Sequence, residues 1–258
     1  MNNQIADITE RLKAVSDTPR LDARFLIDDA SCEEELESFI KRRLNGEPVA
    51  KIIGHKGFWK KEFKTTKDTL DPRPDSETLI DAILKTFPDK NAPYKILDIG
   101  TGTGCLLLSL LDEYPSAIGV GIDVSEKALS VAKENALTYK NVSFINRDFT
   151  TPSWTDNLGS FDIIVSNPPY IPTEDLKNLS KETLCDPILA LDGGKDGLNP
   201  YRIFSKTLLP LCHKDTYIFF EIGQGQETDV QNLMSKNFTF KQAFKDLSGI
   251  TRILCFSV

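Results

Sequence analysis

Apolar and polar positions alternate with different periods along this chain, and the change of period divides it into regions. Over residues 1–48, apolar residues recur at the three- and four-residue spacing of amphipathic helices. The residues predicted to form buried helix faces are Leu21, Phe25 and Leu26, followed by Leu36, Phe39, Ile40 and Leu44. Asn45-Gly46-Glu47-Pro48 ends this helical section. Residues 51–54 and 62–66 predict two short strands, and we interpret 49–70 as a β-hairpin linker.

From residue 71 to residue 258, short apolar runs alternate with helical patterns, which is typical of an α/β domain. A helix capped by Asp75 is predicted to carry its apolar face up to Phe87. The predicted strands are 95–99, 118–122, 141–145, 161–166, 217–222, 238–244 and 252–258. This alternation predicts a Rossmann-like, seven-stranded and mostly parallel sheet with an antiparallel edge. Residues 171–199 form a long connection with little periodicity, which we interpret as a lid.

Composition restricts the classes of function. The 258 residues carry a net charge of -7 and 40% hydrophobic residues, which favours a globular protein without an extended nucleic-acid-binding surface. We expect a cytoplasmic protein, because no apolar run is long enough to span a membrane and no targeting segment is recognisable at the start. The five cysteines and two histidines are not clustered, so we expect no metal site.

Three successive strand ends carry groups suited to a nucleoside ligand. Gly100-Thr101-Gly102-Thr103-Gly104 follows the first strand of the α/β region, and its glycines allow the backbone to approach a ligand closely. A dinucleotide fingerprint would need glycine where Cys105 stands, whereas the Gly-x-Gly-x-Gly spacing is common in adenosylmethionine-dependent methyltransferases. Asp123 could bind ribose hydroxyls, and Asp148 with Phe149 could bind adenine. In isolation, Asp123 could equally start a helix beside Ser125, and Asp148 could be a solvated carboxylate.

Asn167-Pro168-Pro169-Tyr170 follows the apolar run 161–166. Two prolines force the chain to leave the sheet as a stiff loop, at the edge where open α/β sheets bind ligands. The Asn167 side-chain oxygen and the Pro168 carbonyl could accept the two hydrogens of a planar NH2 group, while Tyr170 packs on the substrate plane. This arrangement suits methylation of an amide or aromatic amine. The alternative is an Asx turn at Asn167, with the prolines only ending the strand.

Taken together, these motifs resemble the protein-(glutamine) methyltransferases that modify peptide chain release factors. The resemblance runs from about Asp22 to Arg252. The motifs that carry it are Leu21-Asp22-Ala23-Arg24, Gly46-Glu47-Pro48, Phe58-Trp59, Arg73-Pro74-Asp75-Ser76-Glu77, the glycine loop, Asn167 to Tyr170, and Ala190-Leu191-Asp192-Gly193-Gly194 with Asp196-Gly197-Leu198. Compared with the family pattern, the helical section is shorter by one helical hairpin after Ser31. Asp71 stands where family members usually carry an apolar residue.

The resemblance implies a class I methyltransferase fold over 71–258 and a substrate-docking role for the helical domain 1–48. It implies that S-adenosylmethionine is held by Gly100 to Gly104, Asp123 and Phe149, with Asp148 and Asn167 also contacting it. The substrate would be the glutamine of the Gly-Gly-Gln tripeptide in a release factor, bound by Asn167, Pro168, Pro169 and Tyr170. Arg73 and Glu77 could line the reaction cleft, or could form a salt bridge at a helix start. We expect a monomer whose partners are release factors, with neither membrane nor direct nucleic-acid binding.

Two other classes of function remain open from the residues. A nucleic-acid adenine methyltransferase would use the same Asn-Pro-Pro-Tyr chemistry, although it should carry a basic region that reads its target, which this acidic chain does not show. A non-catalytic binding protein is the third reading, and it would have no affinity for adenosylmethionine.

Overall fold

The computed structural model describes residues 2–258, and its first section is helical. The helices are α1 (Asn2–Leu12), α2 (Pro19–Asp29), α3 (Glu33–Leu44) and α4 (Val49–Ile53). α3 carries three glutamates in its first turn and Lys41-Arg42-Arg43 in its last turn, an arrangement that matches the helix dipole. Apolar side chains from these helices, including Leu12, Leu26 and Ile40, form a separate hydrophobic core.

The apolar face predicted for α2 is only partly correct. Leu26 is fully buried, but Leu21 and Phe25 are 48% and 47% exposed. The buried face of α2 instead includes Asp22, whose carboxylate pairs with the buried Arg43 guanidinium at 2.7 Å. The buried face of α2 therefore carries Asp22, Ala23 and Leu26, and two large apolar side chains face outward. Leu44, predicted as a buried position on α3, is also 37% exposed.

The strand predicted over residues 51–54 is wrong, because these residues lie mostly in α4. Pro48 precedes the helix, where its missing N–H costs nothing, and Gly54 ends it in the left-handed region at φ 84°. The Gly54 amide donates to the Ala50 carbonyl at 2.8 Å, which satisfies one of the carbonyls at the helix end. The hairpin therefore begins later than predicted, with β1 (His55–Phe58) and β2 (Lys61–Lys64) antiparallel.

The hairpin packs against the α/β part of the molecule. Phe58 and Phe63 are almost fully buried in the core beneath the large sheet. Trp59 in the turn donates its backbone N–H to Glu77 at 2.8 Å and its indole N–H to Glu113 at 2.9 Å. These contacts attach the hairpin to the first helices of the α/β part.

Seven strands form one sheet, as the alternating pattern predicted. They are β3 (Lys95–Ile99), β4 (Ile118–Asp123), β5 (Val142–Asn146), β6 (Phe161–Ser166), β7 (Cys212–Glu221), β8 (Thr239–Lys245) and β9 (Thr251–Ser257). Their order is β5-β4-β3-β6-β7-β9-β8. The first five strands in this order are parallel, and β9 pairs antiparallel with both β7 and β8. The predicted fold class is confirmed.

Helices cover both faces of this sheet and bury two cores. They are α5 (Glu77–Thr86), α6 (Cys105–Glu113), α7 (Glu126–Asn135), α8 (Asn199–Thr207) and α9 (Glu227–Met234). One core contains α5, α6 and the hairpin phenylalanines, and the other contains aromatic residues of α8 and β7. Within residues 2–258, no helix combines enough length and apolar character to cross a membrane.

The start of α5 differs from the prediction. Residues Pro74–Ser76 form a short 3-10 turn, and Asp75 makes no capping hydrogen bond to the helix that follows. Its carboxylate lies 2.8 Å from the Arg252 guanidinium on β9 instead. A tertiary ion pair has therefore replaced the predicted local cap.

Candidate active site

The candidate site lies where the strand order reverses, between β3 and β6. The chain builds β3, β4 and β5 in one direction and then returns to place β6 on the other side of β3. The Ser166 hydroxyl at the end of β6 donates to the Ile99 carbonyl at the end of β3, at 2.7 Å. The loops that follow these two strands therefore leave the sheet side by side, at the position where open α/β sheets bind ligands.

The loop Gly100 to Gly104 leaves an open surface above β3. Gly100, Gly102 and Gly104 all have positive φ, at 75°, 56° and 80°, which a residue with a side chain rarely adopts. A Cβ atom added to Gly100 or Gly102 would meet no atom within 4 Å. The open space above these two positions is where a ligand could approach the backbone closely.

Asp98, directly below the loop, is a buried carboxyl group with an unused oxygen. It is fully buried, and its Oδ2 accepts a hydrogen bond from the Thr101 hydroxyl at 2.7 Å. Its Oδ1 has no hydrogen-bond partner among residues 2–258. Burial raises the pKa of Asp98 to about 7, although the Thr101 hydroxyl opposes this shift. A cationic ligand above the loop would stabilise the ionised form.

Asp123, at the end of β4, faces the same loop. Its Oδ2 accepts from the Gly102 amide and its Oδ1 from the Ser125 amide, both at 2.9 Å. Burial raises the pKa of Asp123, and these backbone hydrogen bonds oppose the shift. The helix-start role falls to Ser125, whose side chain accepts from the Ala128 amide at 3.2 Å. Asp123 is thus held against the glycine loop, and it retains lone pairs for a hydroxyl-bearing ligand.

Asp148 and Phe149 follow β5, the next strand outward. The Asp148 carboxylate accepts from both the backbone and the hydroxyl of Thr150, at 2.8 and 2.7 Å. The Phe149 ring is partly buried and packs on Phe204 of α8, with ring centroids 5.0 Å apart. Both residues lie at the ligand-binding edge, and each also has a local structural contact.

The loop Asn167 to Tyr170 is supported by the Asp-Gly-Gly segment. A Cβ atom on Gly193 would lie 2.7 Å from the Pro169 carbonyl, and one on Gly197 would lie 2.1 Å from the Tyr170 carbonyl. Glycine is required at both positions because two backbone segments touch there. The Ile171 amide also donates to the Leu191 carbonyl at 3.0 Å. Much of the predicted lid is therefore attached to the loop whose conformation it supports.

Asn167 makes one side-chain hydrogen bond within the described chain, in which its Nδ2 donates to the Ser76 hydroxyl at 3.1 Å. No donor among residues 2–258 pairs with its Oδ1 or with the Pro168 carbonyl. Two acceptors are thus available on the same short loop, and both could bind the hydrogens of one NH2 group.

Behind this loop lies Glu221, at the end of β7. Its side chain accepts hydrogen bonds from the Ser76 hydroxyl and, at 3.4 Å, from the Tyr170 hydroxyl. Glu221 is only 1% exposed, and burial raises its pKa to about 7, opposed by Ser76 and by Arg252. Burial also raises the pKa of Tyr170. A buried, titratable carboxyl group is therefore linked to Asn167 by hydrogen bonds through a single residue, Ser76.

Arg73 and Glu77 do not pair with each other. The Arg73 guanidinium pairs with the buried Asp186 carboxylate of the 171–199 segment, and Glu77 accepts the Trp59 backbone N–H. Arg73 lines a cleft of about 500 Å³ between the helical section and the hairpin, together with Leu21 and Phe25. The salt bridge considered at this helix start does not form, and the role of both residues in substrate binding stays a prediction.

Comparison with known proteins places this chain in a family. A release factor glutamine methyltransferase of Caulobacter vibrioides is 39% identical over 274 residues, covering 95% of this chain and 92% of the relative. This chain belongs to the release factor glutamine methyltransferase family. Another member, from Rhodospirillum rubrum, is 44% identical over 225 residues, which cover 86% of this chain and 68% of that relative. The chain is thus a methyltransferase by family.

The other comparisons agree with this family and with the fold. Residues 90–207 of this family member match a family model described as a methyltransferase domain. A solved methyltransferase from Pyrococcus furiosus superposes with a TM-score of 0.57 at 17% identity, over 84% of this chain and 96% of that one. At such low identity, the structural similarity supports the fold alone.

Sequence reasoning missed three residues of this methyltransferase's candidate site. Asp98 precedes the glycine loop by two residues, so the motif itself could have indicated it. Ser76 lies within the Arg-Pro-Asp-Ser-Glu motif, yet its contact with Asn167 spans 91 positions. Glu221 is the last residue of β7, a strand that the sequence predicted. A carboxylate at the end of a strand, where open α/β sheets bind ligands, could have indicated a site residue.

Proposed function

We propose that this enzyme transfers a methyl group from S-adenosylmethionine to the side-chain amide nitrogen of the glutamine in the Gly-Gly-Gln tripeptide of peptide chain release factors. The observation that carries the proposal is the pair of acceptors on the Asn167 to Tyr170 loop, the Asn167 Oδ1 and the Pro168 carbonyl, beside the glycine loop. A primary carboxamide offers two hydrogens that match these two acceptors. The names of the relatives, release factor glutamine methyltransferases, support the same substrate.

The residues around the glycine loop fit S-adenosylmethionine. Gly100 and Gly102 leave space for it, Asp123 has oxygen lone pairs suited to ribose hydroxyls, and Phe149 offers a ring face for adenine. Asp98 supplies a carboxyl oxygen without a protein partner below the loop, which suits a ligand with positive charge. The bound donor supplies an electrophilic methyl group on a sulfonium.

The protein's part in the reaction is to position the amide. Hydrogen bonds to Asn167 and the Pro168 carbonyl would hold both hydrogens in the plane of the amide, which turns the nitrogen face towards the methyl carbon. The bound donor would supply the methyl group and keep the electron pair of its C–S bond, and the methylated amide nitrogen would lose one proton to solvent. Asn167 and the Pro168 carbonyl would align the amide for this transfer. Alignment would matter more than stabilisation of new charge, because the donor already carries the positive charge that leaves as the proton.

We further propose that residues 1–48 dock the release factor, that 49–70 link the two parts, and that 71–258 catalyse methyl transfer. The support is the cleft of about 500 Å³, which is lined by the exposed apolar side chains Leu21 and Phe25 on one side and by Arg73 on the other. Arg73 lies three residues before Ser76, which contacts Asn167. The cleft would thus receive the body of a protein substrate whose glutamine reaches the loop.

Mass spectrometry of a release factor, after incubation with the purified enzyme and S-adenosylmethionine, tests the proposal. We expect one added methyl group on the tripeptide glutamine, and none with the Asn167→Ala variant. Asn232→Ala, on the exposed surface of α9, is a matched control that should methylate like the wild type. Methylation of adenine in DNA under the same conditions, without modification of the release factor, would overturn the proposed substrate.

A further inference from the structure

Three side chains from distant parts of the sequence form a chain of hydrogen bonds behind the substrate loop. Asn167 donates through Nδ2 to the Ser76 hydroxyl at 3.1 Å, and the Ser76 hydroxyl donates to Glu221 Oε2. Ser76 and Glu221 are 3% and 1% exposed, so water does not compete readily for these bonds. Neither residue belongs to the cofactor-binding or substrate-binding residues proposed above.

The Glu221 carboxylate sets the direction in which these two hydrogen bonds donate. An ionised carboxylate can only accept hydrogen bonds, so the single hydroxyl hydrogen of Ser76 must point to Glu221. The Ser76 oxygen is then left as an acceptor, and it can satisfy only the NH2 end of the Asn167 side chain. The Asn167 carbonyl oxygen must consequently face the other way, towards the substrate.

We propose that Glu221, acting through Ser76, is a positioning residue that fixes which end of the Asn167 amide faces the substrate glutamine. The inference rests on the proposed function, because only an NH2-bearing substrate needs an acceptor at this place. If the Asn167 side chain turned over, its NH2 group would meet the NH2 group of the glutamine, and two donors cannot pair. Such a turned side chain would lower the population of productive complexes.

Protonation of Glu221 would remove this directional control. A protonated carboxyl can donate to the Ser76 oxygen, which frees the Ser76 hydrogen to bind the Asn167 carbonyl oxygen and admits the turned orientation. The pKa of Glu221 is raised to about 7 by burial. The titratable and charged groups that face it are Arg252 of β9, Asp75 before α5, Tyr170, Tyr201 of α8 and Cys105 of α6. Activity needs the ionised form, so it should be full above this pKa and fall as the pH drops through it.

The experiment measures kcat and KM for a release factor across about pH 5.5 to 9 in the wild type and in Glu221→Gln. The carboxamide of the variant can donate to Ser76 at every pH, so the Asn167 orientation is no longer fixed. We expect kcat to fall about tenfold or more above neutral pH. The acid-side decline of the wild type should disappear in the variant, while S-adenosylmethionine affinity stays unchanged.

Two further variants separate positioning from general loss of structure. Ser76→Ala removes the hydroxyl that links Asn167 to Glu221. Like Glu221→Gln, it should lower kcat and remove the acid-side decline of the pH profile. Glu113→Gln is the matched control, because Glu113 is also buried, at 5% exposure, and pairs with Lys60 and Lys90 away from the loop. It should lower thermal stability but keep the wild-type pH profile. Wild-type kcat and an unchanged acid-side decline in Glu221→Gln would overturn the inference.

A substrate-free measurement keeps this inference separate from the proposed function. The side-chain amide resonance of Asn167, followed by nuclear magnetic resonance, should shift with a midpoint near the Glu221 pKa in the wild type. It should stay constant with pH in Glu221→Gln. A wild-type enzyme that methylates no release factor would refute the proposed function alone, and an Asn167 resonance that titrates equally in both proteins would refute the positioning role alone.

Discussion

Replacing Lys51 by methionine should destabilise this protein strongly, because Lys51 is the centre of a buried charge cluster. Its side chain is 3% exposed, and its ammonium group lies 2.7 Å from Asp71 and 3.0 Å from Asp186. It also donates to the carbonyls of Thr66 and Thr69, at 2.7 and 2.6 Å. The cluster joins α4 to the segment after the hairpin and to the 171–199 connection.

The expected magnitude follows from this burial. Methionine is of similar length and keeps the packing, but it removes the cation shared by two buried carboxylates. Asp186 keeps its pair with Arg73, whereas Asp71 loses its cationic partner. Removing one partner of a buried ion pair typically costs about 3–5 kcal/mol. For a chain of this size, each kcal/mol lowers the melting temperature by about 2 °C, so we expect Lys51→Met to lower it by about 6–10 °C.

Thermal unfolding followed by circular dichroism measures this effect. Lys127→Met is the matched control, because Lys127 is 73% exposed and lies 3.3 Å from Asp68. Exposed pairs contribute about 0–1 kcal/mol, so the control should change the melting temperature by no more than about 2 °C. Adding Asp71→Leu to Lys51→Met should recover part of the loss, since it removes one uncompensated carboxylate. A melting temperature of Lys51→Met as high as that of the control would refute the reasoning.

Two further predictions concern the site and the cleft. Asp98→Asn should raise the melting temperature of the ligand-free protein, and more so at about pH 8 than at about pH 5. Because burial raises the pKa of Asp98 to about 7, the stabilisation of the fold by its protonated form is fully present below the ordinary pKa of 3.8 and is lost as the pH rises through about 7. An equal gain in melting temperature at both pH values would contradict this prediction. Phe25→Asp should raise KM for an intact release factor about tenfold while leaving the melting temperature unchanged, because Phe25 is half exposed in the cleft. An unchanged KM would exclude Phe25 from docking.

The sequence by itself determined the local pieces of this protein and their approximate order. Alternating apolar runs predicted the seven strands, and β3 with its glycine loop lies where the pattern indicated. Gly100 to Gly104 and Asn167 to Tyr170 were recognisable because their backbone requirements, positive φ and early strand termination, restrict the residue types directly. Signals of this kind act over a few neighbouring residues, so they can be read without the fold.

Burial and side-chain partners were decided only by the tertiary structure. Helical periodicity grouped Leu21 and Phe25 with Leu26 but did not indicate which face of α2 would be covered. In the structure, the covered face carries Leu26 together with Asp22, which pairs with Arg43. Ser76 and Glu221 lie 145 positions apart in the sequence. They meet beside Asn167 because β7 lies next to β6 in the sheet, and the turn before α5 packs against the ends of these two strands. Such contacts depend on strand order and on the competition among distant side chains for buried space, which residue patterns along the chain do not specify.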